Sequence, residues 1–315
     1  MSLSKAGIRT SYSLLFCFFC LFLFACVSCI GIQNIRKTEN TTENSEGREL
    51  MLMTFNIRAG GGTKNPDMSP YDVEATDKNL DKIAEVVKFV NPDVVGLQEV
   101  RGFSQAAHIA KESNLNFVYA PHGGRNSWWG LAILSKYKIK EYKTSSVHYG
   151  WDPRIALSCK IEINDKIVEV INIHYHIGDF TQQVSSTTDL IEKTNEPLLL
   201  MGDLNRKVRH PDLKPIRDKL VDTCSIINTE GARIAEKRGT FGAASSYRID
   251  HIYIDVKSFL VIDVGVVSFV DPKSFKIWDW LNPNTLVNPD PSIFPIEYTT
   301  ASDHLAYFAK VNLKQ

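Results

Sequence analysis

The chain has 315 residues, 36 basic against 36 acidic, with 43% hydrophobic and 23% charged side chains. That balance excludes a disordered polyelectrolyte and leaves enough apolar material for one large core or two small ones. It also excludes the strong positive field of a processive nucleic-acid binder, though not a nuclease whose basic residues are local.

Lys5 and Arg9 precede a nearly uncharged apolar run over residues 12–30 that holds four of the six cysteines. A basic tip followed by about 20 apolar residues is expected of an export signal or a membrane anchor. Leu23-Phe-Ala-Cys26 is a loose version of a bacterial lipoprotein cleavage site, and Cys29 is a second candidate. The expectation is an exported protein, either a membrane-tethered lipoprotein or a periplasmic or secreted form. Residues 31–48 are polar and aperiodic, a tether. The catalytic domain is expected over residues 49–315. Only Cys159 and Cys224 remain there, too few for a disulfide framework.

Residues 49–56 read as a first strand, followed by a glycine-rich turn at residues 60–62. Leu80, Ile83, Val87 and Val90 recur at helical spacing, which predicts an amphipathic helix over residues 77–90 that ends at Asn91-Pro92. Residues 93–98 read as a second strand with Glu99 at its tip, and residues 103–113 as another helix. Strands follow at residues 130–134, 138–145, 155–163 and 166–174, the last two joined by the hairpin signal Asn164-Asp165. A helix over residues 181–194 precedes the apolar run that ends at Met201. Residues 248–254, 260–267 and 304–311 mark the later strands. Strand–helix alternation at the front and hairpins in the middle favour an α/β sandwich in one domain over a purely parallel sheet.

One pattern returns along the chain: an apolar run that ends in a residue able to bind metal or move a proton. Asn56 closes the first strand, Glu99 follows the second, and His174 ends the run from Val168. Asp203 and Asn205 follow the leucine run, two residues apart and so on one face if the chain is extended. Asp250 lies in Tyr247-Arg-Ile-Asp-His-Ile252, and Asp303 and His304 open the last strand. Each alone is an ordinary strand end. Jointly they suit a phosphoester, which needs hard oxygen ligands for a cation, donors for developing charge, and an activated water. Asp303 and His304 are adjacent and face opposite ways in a strand, so Asp250 is the expected partner of His304, holding it near neutral titration.

These motifs resemble the endonuclease/exonuclease/phosphatase superfamily. The resemblance rests on Thr54-Phe-Asn-Ile57, Gly96-Leu-Gln-Glu-Val100, Asn172-Ile-His174, Gly202-Asp-Leu-Asn205, Tyr247-Arg-Ile-Asp-His-Ile252 and Ser302-Asp-His304, in that order. It implies a four-layer α/β/β/α sandwich with two mostly antiparallel central sheets. It further implies magnesium, or manganese in its place, held by Glu99 with Asn56 and Asp303. Asp203 positions water or metal, Asn205 contacts a phosphate oxygen, His304 acts as base or phosphate contact, and His174 is a second phosphate-side histidine. Arg154, just before a strand, matches an arginine near the substrate phosphate. The implied activity is phosphoester hydrolysis outside the cytoplasm, on nucleic acid, phospholipid or a small molecule. A toxin-like extracellular nuclease and a catalytically silent scaffold are the other readings. No protein partner is expected, and the leader is the contact with the membrane.

The loops leave the substrate open. Trp128, Trp129, Trp278 and Trp280 lie in hydrophilic stretches, where they could stack on bases, sit at a membrane interface or plug the end of the sandwich. Arg206, Lys207, Arg209 and His210 directly follow Asn205 and suit either a second phosphate or a solvated turn.

Overall fold

The computed structural model describes residues 47–61, 76–241, 247–267 and 302–315. The leader, nearly all of the tether, Gly62, Trp278 and Trp280 lie outside these residues.

In chain order, β1 (Arg48–Asn56) leads through α1 (Asp77–Val90) to β2 (Val94–Val100) and α2 (Gly102–Ser113). Strands β3 (Asn116–Pro121), β4 (Gly130–Ser135), β5 (Ile139–His148), β6 (Arg154–Ile163) and β7 (Lys166–His174) follow. Next come α3 (Phe180–Glu192), β8 (Leu198–Asp203), α4 (Lys214–Arg217), β9 (Val221–Asp222) and α5 (Glu230–Arg238). The described chain closes with β10 (Asp250–Ile254), β11 (Phe259–Val267) and β12 (Ala306–Leu313).

These strands form two six-stranded sheets, ordered β11-β12-β1-β2-β4-β3 and β5-β6-β7-β8-β10-β9. Each contains one parallel pair, β1–β2 or β7–β8, and is otherwise antiparallel. The parallel pairs are those joined through a helix, α1 or α3, because a parallel neighbour needs a crossover while a hairpin gives an antiparallel one. Alternation along each strand then sets the layers. Leu50 and Leu52 of β1 and Leu199 and Met201 of β8 share the core between the sheets. Met53 and Phe55 turn outward onto the cluster with Leu80 and Ile83 of α1, while Leu198 and Leu200 join Phe180 and Val184 of α3. The expected four layers, helix, sheet, sheet, helix, are therefore present. Cys159 is buried in the inter-sheet core.

Differences from the sequence reading have physical causes. Strand β3 went unread because its side chains are mostly half-exposed and show no alternation. Helix α5 went unread because it spans nine residues and Ile234 is its one large apolar side chain, too few for helical spacing to register. The last strand begins at Ala306, and His304 instead makes an isolated bridge to Phe241. At the hairpin tip Asn164 and Asp165 have φ of 48° and 64°, the left-handed pair that a two-residue turn requires.

Two buried polar groups hold the sandwich at the end where the strands carry their acids. Asn172 of β7 donates from Nδ2 to the carbonyls of Leu97 and Ala132 in the opposite sheet, both at 2.9 Å. Its Oδ1 accepts from Gln98 Nε2 at 2.7 Å. Gly96 permits this approach, since a Cβ there would lie 2.8 Å from Met201 and 3.0 Å from Asn172 Oδ1. The second group is Arg248, which donates from Nη2 to Asp222 at the end of β9 and to Glu236 of α5, each at 2.7 Å.

Asn172→Ala should lower unfolding free energy by about 2–4 kcal/mol, because it strands Gln98 and two buried carbonyls; urea denaturation measures it. Burial alone would raise the Asp222 carboxyl, but the Arg248 guanidinium holds it well below the ordinary carboxylate range. Its stabilising contribution is thus fully present above about pH 4 and is lost as pH falls through the depressed value. Asp222→Asn should cost about 3–5 kcal/mol at pH 7 and should flatten the acid limb of a melting-temperature profile.

Candidate active site

Six of the nine sequence-identified residues meet in one chain of contacts where the ends of β1, β2, β7, β8 and β10 face each other. Asn56 ends β1; its Oδ1 accepts from the Arg58 amide, which aims Nδ2 at two acids, Glu99 Oε1 at 3.0 Å and Asp203 Oδ2 at 3.1 Å. Glu99 sits where the β2–β4 register shifts, with φ of 55°. A bulge with a left-handed residue re-aims one side chain out of the strand's alternation. Glu99 Oε2 is buried without a hydrogen-bond partner. Burial raises this carboxyl most, the Asn56 bond opposes that, and the Asp303 charge raises it further.

Asp203 closes β8 between two neighbours fixed by register, His174 on β7 and Asp250 on β10. Gly202 makes the closure possible, having φ of 144° and no room for a Cβ beside the Ile173 carbonyl. The Asp203 carboxyl is raised to about 7, by burial first and then by the charge of Asp250. Asp250 binds His304, with Oδ2 2.8 Å from Nδ1, while its own Oδ1 is buried and unpaired. His304 Nε2 lies 3.7 Å from Asp203 Oδ2. Burial pushes the His304 imidazole down, but the charge and hydrogen bond of Asp250, aided by Asp203 and Asp303, raise it to about 10. His304 therefore keeps its proton at neutral pH. The near-neutral titration expected from one carboxylate partner gives way because further acids surround it.

His174 has the opposite fate. Its Nδ1 lies 3.3 Å from Arg154 Nη1, and a guanidinium can only donate. Nδ1 thus accepts, and the proton rests on Nε2, which faces Asp203 Oδ2 at 3.6 Å and Glu99 Oε1 at 3.9 Å. Burial first, then Arg154, drives His174 well below its usual range.

The other three residues stand at the margin. Arg154 is buried behind His174 rather than solvated, ion-paired with Asp152 and packed over the Trp129 ring. Its Nε has no partner. Asn205, at φ of 50°, turns Nδ2 onto the Tyr175 carbonyl at 2.8 Å. Asp303 is partly exposed and pairs with Arg58 Nε at 3.4 Å.

Sequence reasoning passed over Arg58 and His122. Arg58 lies two residues beyond Asn56 and is buried, which its charge argued against. His122 follows Pro121 in a loop with no motif, yet packs on both Trp129 and His174. Trp129 is buried edge-on to His174, so it plugs the sandwich end, whereas Trp128 stacks on it at 5.2 Å. His251 faces away from Asp250 and binds Arg248, while Arg206, Lys207 and His210 are engaged by Phe180, Tyr247 and Asp212.

The donor set fits a hard divalent cation. Asp203, Asp250 and His304 offer ligand atoms within 4.8 Å of one another, but His304 is held protonated by Asp250, and a charged imidazole is no ligand. The capacity resides in Glu99 and Asp203, which converge on one amide donor, with Glu99 Oε2 unpaired. A buried carboxylate in that state needs a counter-charge.

Comparison with known proteins agrees with this geometry. The sequence model of the Endonuclease/Exonuclease/phosphatase family matches residues 53–304. No curated protein matches the sequence. Among solved structures, an endonuclease/exonuclease/phosphatase family protein from Bacteroides thetaiotaomicron superposes with a TM-score of 0.62 at 19% identity, over 85% of this chain and 99% of that one. A mannosyl-6-phosphatase from Bacteroides thetaiotaomicron gives 0.59 at 19%, over 83% and 99%. TDP2 from D. rerio, complexed with a single-strand DNA product, gives 0.59 at 12%, over 84% and 99%. At these identities the structures establish the fold, and the family match extends over most of the chain and includes all six motif segments. The chain belongs to the endonuclease/exonuclease/phosphatase family.

Proposed function

We propose that the protein is a magnesium-dependent hydrolase of phosphoester bonds, with manganese able to substitute, acting outside the cytoplasm. The observation that carries this reading is the buried meeting of Glu99, Asp203 and Asp250 with two histidines of opposite protonation. A structural cluster would pair its acids fully; here Glu99 Oε2 and Asp250 Oδ1 lack partners. The basic-then-apolar leader supports export. Phosphoester chemistry of more than one kind occurs on this fold, since its relatives include a sugar phosphatase and an enzyme bound to a DNA product.

Glu99 and Asp203 would hold the ion, with Asp303 at its solvent side and Asn56 steadying both buried acids. Bound there, magnesium supplies Lewis-acid stabilisation of a phosphoryl oxygen. His304 donates its Nε2 proton in a hydrogen bond to the phosphoryl group, fixed in orientation by Asp250 at Nδ1. His174 presents Nε2–H from the opposite side, with Arg154 adding positive charge behind it. Asp203 would orient the attacking water and take its proton as the ester P–O bond breaks, the departing oxygen taking a proton from solvent. Asn205 contacts a phosphate oxygen.

Purified full-length protein in detergent should turn over at least one of plasmid DNA, RNA, sphingomyelin, a phosphoinositide, a sugar phosphate and bis-(p-nitrophenyl) phosphate. Activity should vanish in excess EDTA and return with magnesium or manganese. Glu99→Gln and His304→Ala should each lower kcat by roughly 10²–10⁴-fold while circular dichroism stays native. Turnover that survives EDTA, or a folded protein with neither turnover nor calorimetric magnesium binding, would sink the proposal.

A further inference from the structure

Below the acids lies a second polar assembly that hydrolysis does not use directly. Arg248 is buried, and its Nη1 donates to Asp222 Oδ1 at 2.9 Å while lying 2.9 Å from His251 Nδ1. A guanidinium has only N–H donors, so Nδ1 must accept and the His251 proton sits on Nε2. The other contact requires the same tautomer. Nε2 is 2.8 Å from the Arg206 carbonyl, which can only accept. The 3.3 Å separation between His251 Nδ1 and Asp222 Oδ1 is spanned by the two hydrogens of Arg248 Nη1, one to each.

Arg206 directly follows Asn205, whose φ of 50° lies in the left-handed region that asparagine tolerates better than most side-chain-bearing residues. Asn205 secures itself twice, from its amide to Asp203 Oδ1 and from Nδ2 to the Tyr175 carbonyl, each at 2.8 Å. The only side chain reaching this turn from β10 among the described contacts is His251, adjacent in sequence to Asp250 and on the opposite face of the strand. One short strand thus orients His304 with one residue and supports the Asn205 turn with the next.

We infer that His251, set in its Nε2–H tautomer by Arg248, is a positioning residue that holds the Asn205–Arg206 turn in the shape that receives a phosphate oxygen. The inference rests on the phosphoester reading and on Asn205 as a phosphate contact. It predicts that His251 and Asn205 are energetically coupled.

The test uses full-length protein with His251→Gln and His251→Asn, each made alone and in an Asn205→Ala background. Gln carries an amide N–H to about the place of Nε2, whereas Asn keeps an acceptor for Arg248 but is too short to reach Arg206. Both are polar, which protects folding, and melting temperatures check it. In the presence of magnesium, His251→Asn should weaken inorganic phosphate binding in calorimetry and lower kcat, each by about tenfold or more. His251→Gln should recover most of both losses. In the Asn205→Ala background His251→Asn should change neither quantity more than about twofold. Equal losses in both backgrounds, or no recovery with Gln, would make His251 a packing residue and overturn the inference. Absence of turnover in the unsubstituted protein would instead count against hydrolysis, and phosphate binding across the same variants would still decide the coupling. If none of the proteins, the unsubstituted one included, bound phosphate, the inference would be overturned with it.

Discussion

The amide bridge from Asn172 to the opposite sheet is the constraint on which the site depends. Over most of their area the sheets meet through apolar side chains, whose packing tolerates sliding by fractions of an ångström. At Asn172 they meet through directed hydrogen bonds to Leu97, Ala132 and Gln98, which fix both distance and register. A buried amide left unmade costs about 1–3 kcal/mol, so a slipped arrangement loses on several groups together. Leu97 and Gln98 directly precede Glu99, and Asn172 lies two residues before His174. The bridge therefore sets how far the acid of one sheet stands from the histidine of the other.

With that spacing fixed, electrostatics divides the labour. His174 and His304 are both buried and both face Asp203, yet one is pushed below its usual range and the other far above it. Burial acts in the same direction on each. The difference lies in what touches Nδ1: a guanidinium at His174 and a carboxylate at His304. Holding one imidazole neutral and the other protonated, with Nε2 of each within 3.6 or 3.7 Å of Asp203 Oδ2, provides two N–H donors without requiring two buried cations. The acids follow the same economy. Asp250 serves His304, Asp203 is shared, and Glu99 keeps one oxygen uncommitted.

Much of this was legible in the sequence because the local rules are short-ranged. Apolar runs ending in a polar residue marked β1 and β7, partial alternation marked β6, helical spacing marked α1 to its observed ends, and Asn164-Asp165 marked its hairpin. Polar residues at strand ends announced which side chains would gather. The sequence did not contain the long-range facts. Nothing near Arg154 says that it will be buried against Trp129, nor near Asn205 that its amide will turn toward Tyr175. Those outcomes depend on which strands become neighbours, and β3 and α5 lack even the local pattern. His251 is the instructive case: alternation places it on the face opposite Asp250, but its tautomer is fixed only by Arg248 and the Arg206 carbonyl.

The cations around the mouth bear on how a substrate is captured. Arg206 covers the Phe180 ring and pairs with Asp212, Lys207 lies over Tyr247, and Arg58 pairs with Asp303. Each is engaged within the fold, and the chain as a whole carries no net charge. Long-range steering of a polyanion is therefore weak, and affinity has to come from contact at the site itself. Tyr149 and Trp151 are exposed on the loop that leads into Arg154, and Arg125 packs on the Trp151 ring. Asp152, between Trp151 and Arg154, is tied to Arg154 and His176, so this loop is anchored to the same cation that sets His174. A group bound against those rings would be coupled to the phosphate through a side chain already in place. Recognition by short-range contact of this kind suits a site whose flanking cations are engaged within the fold.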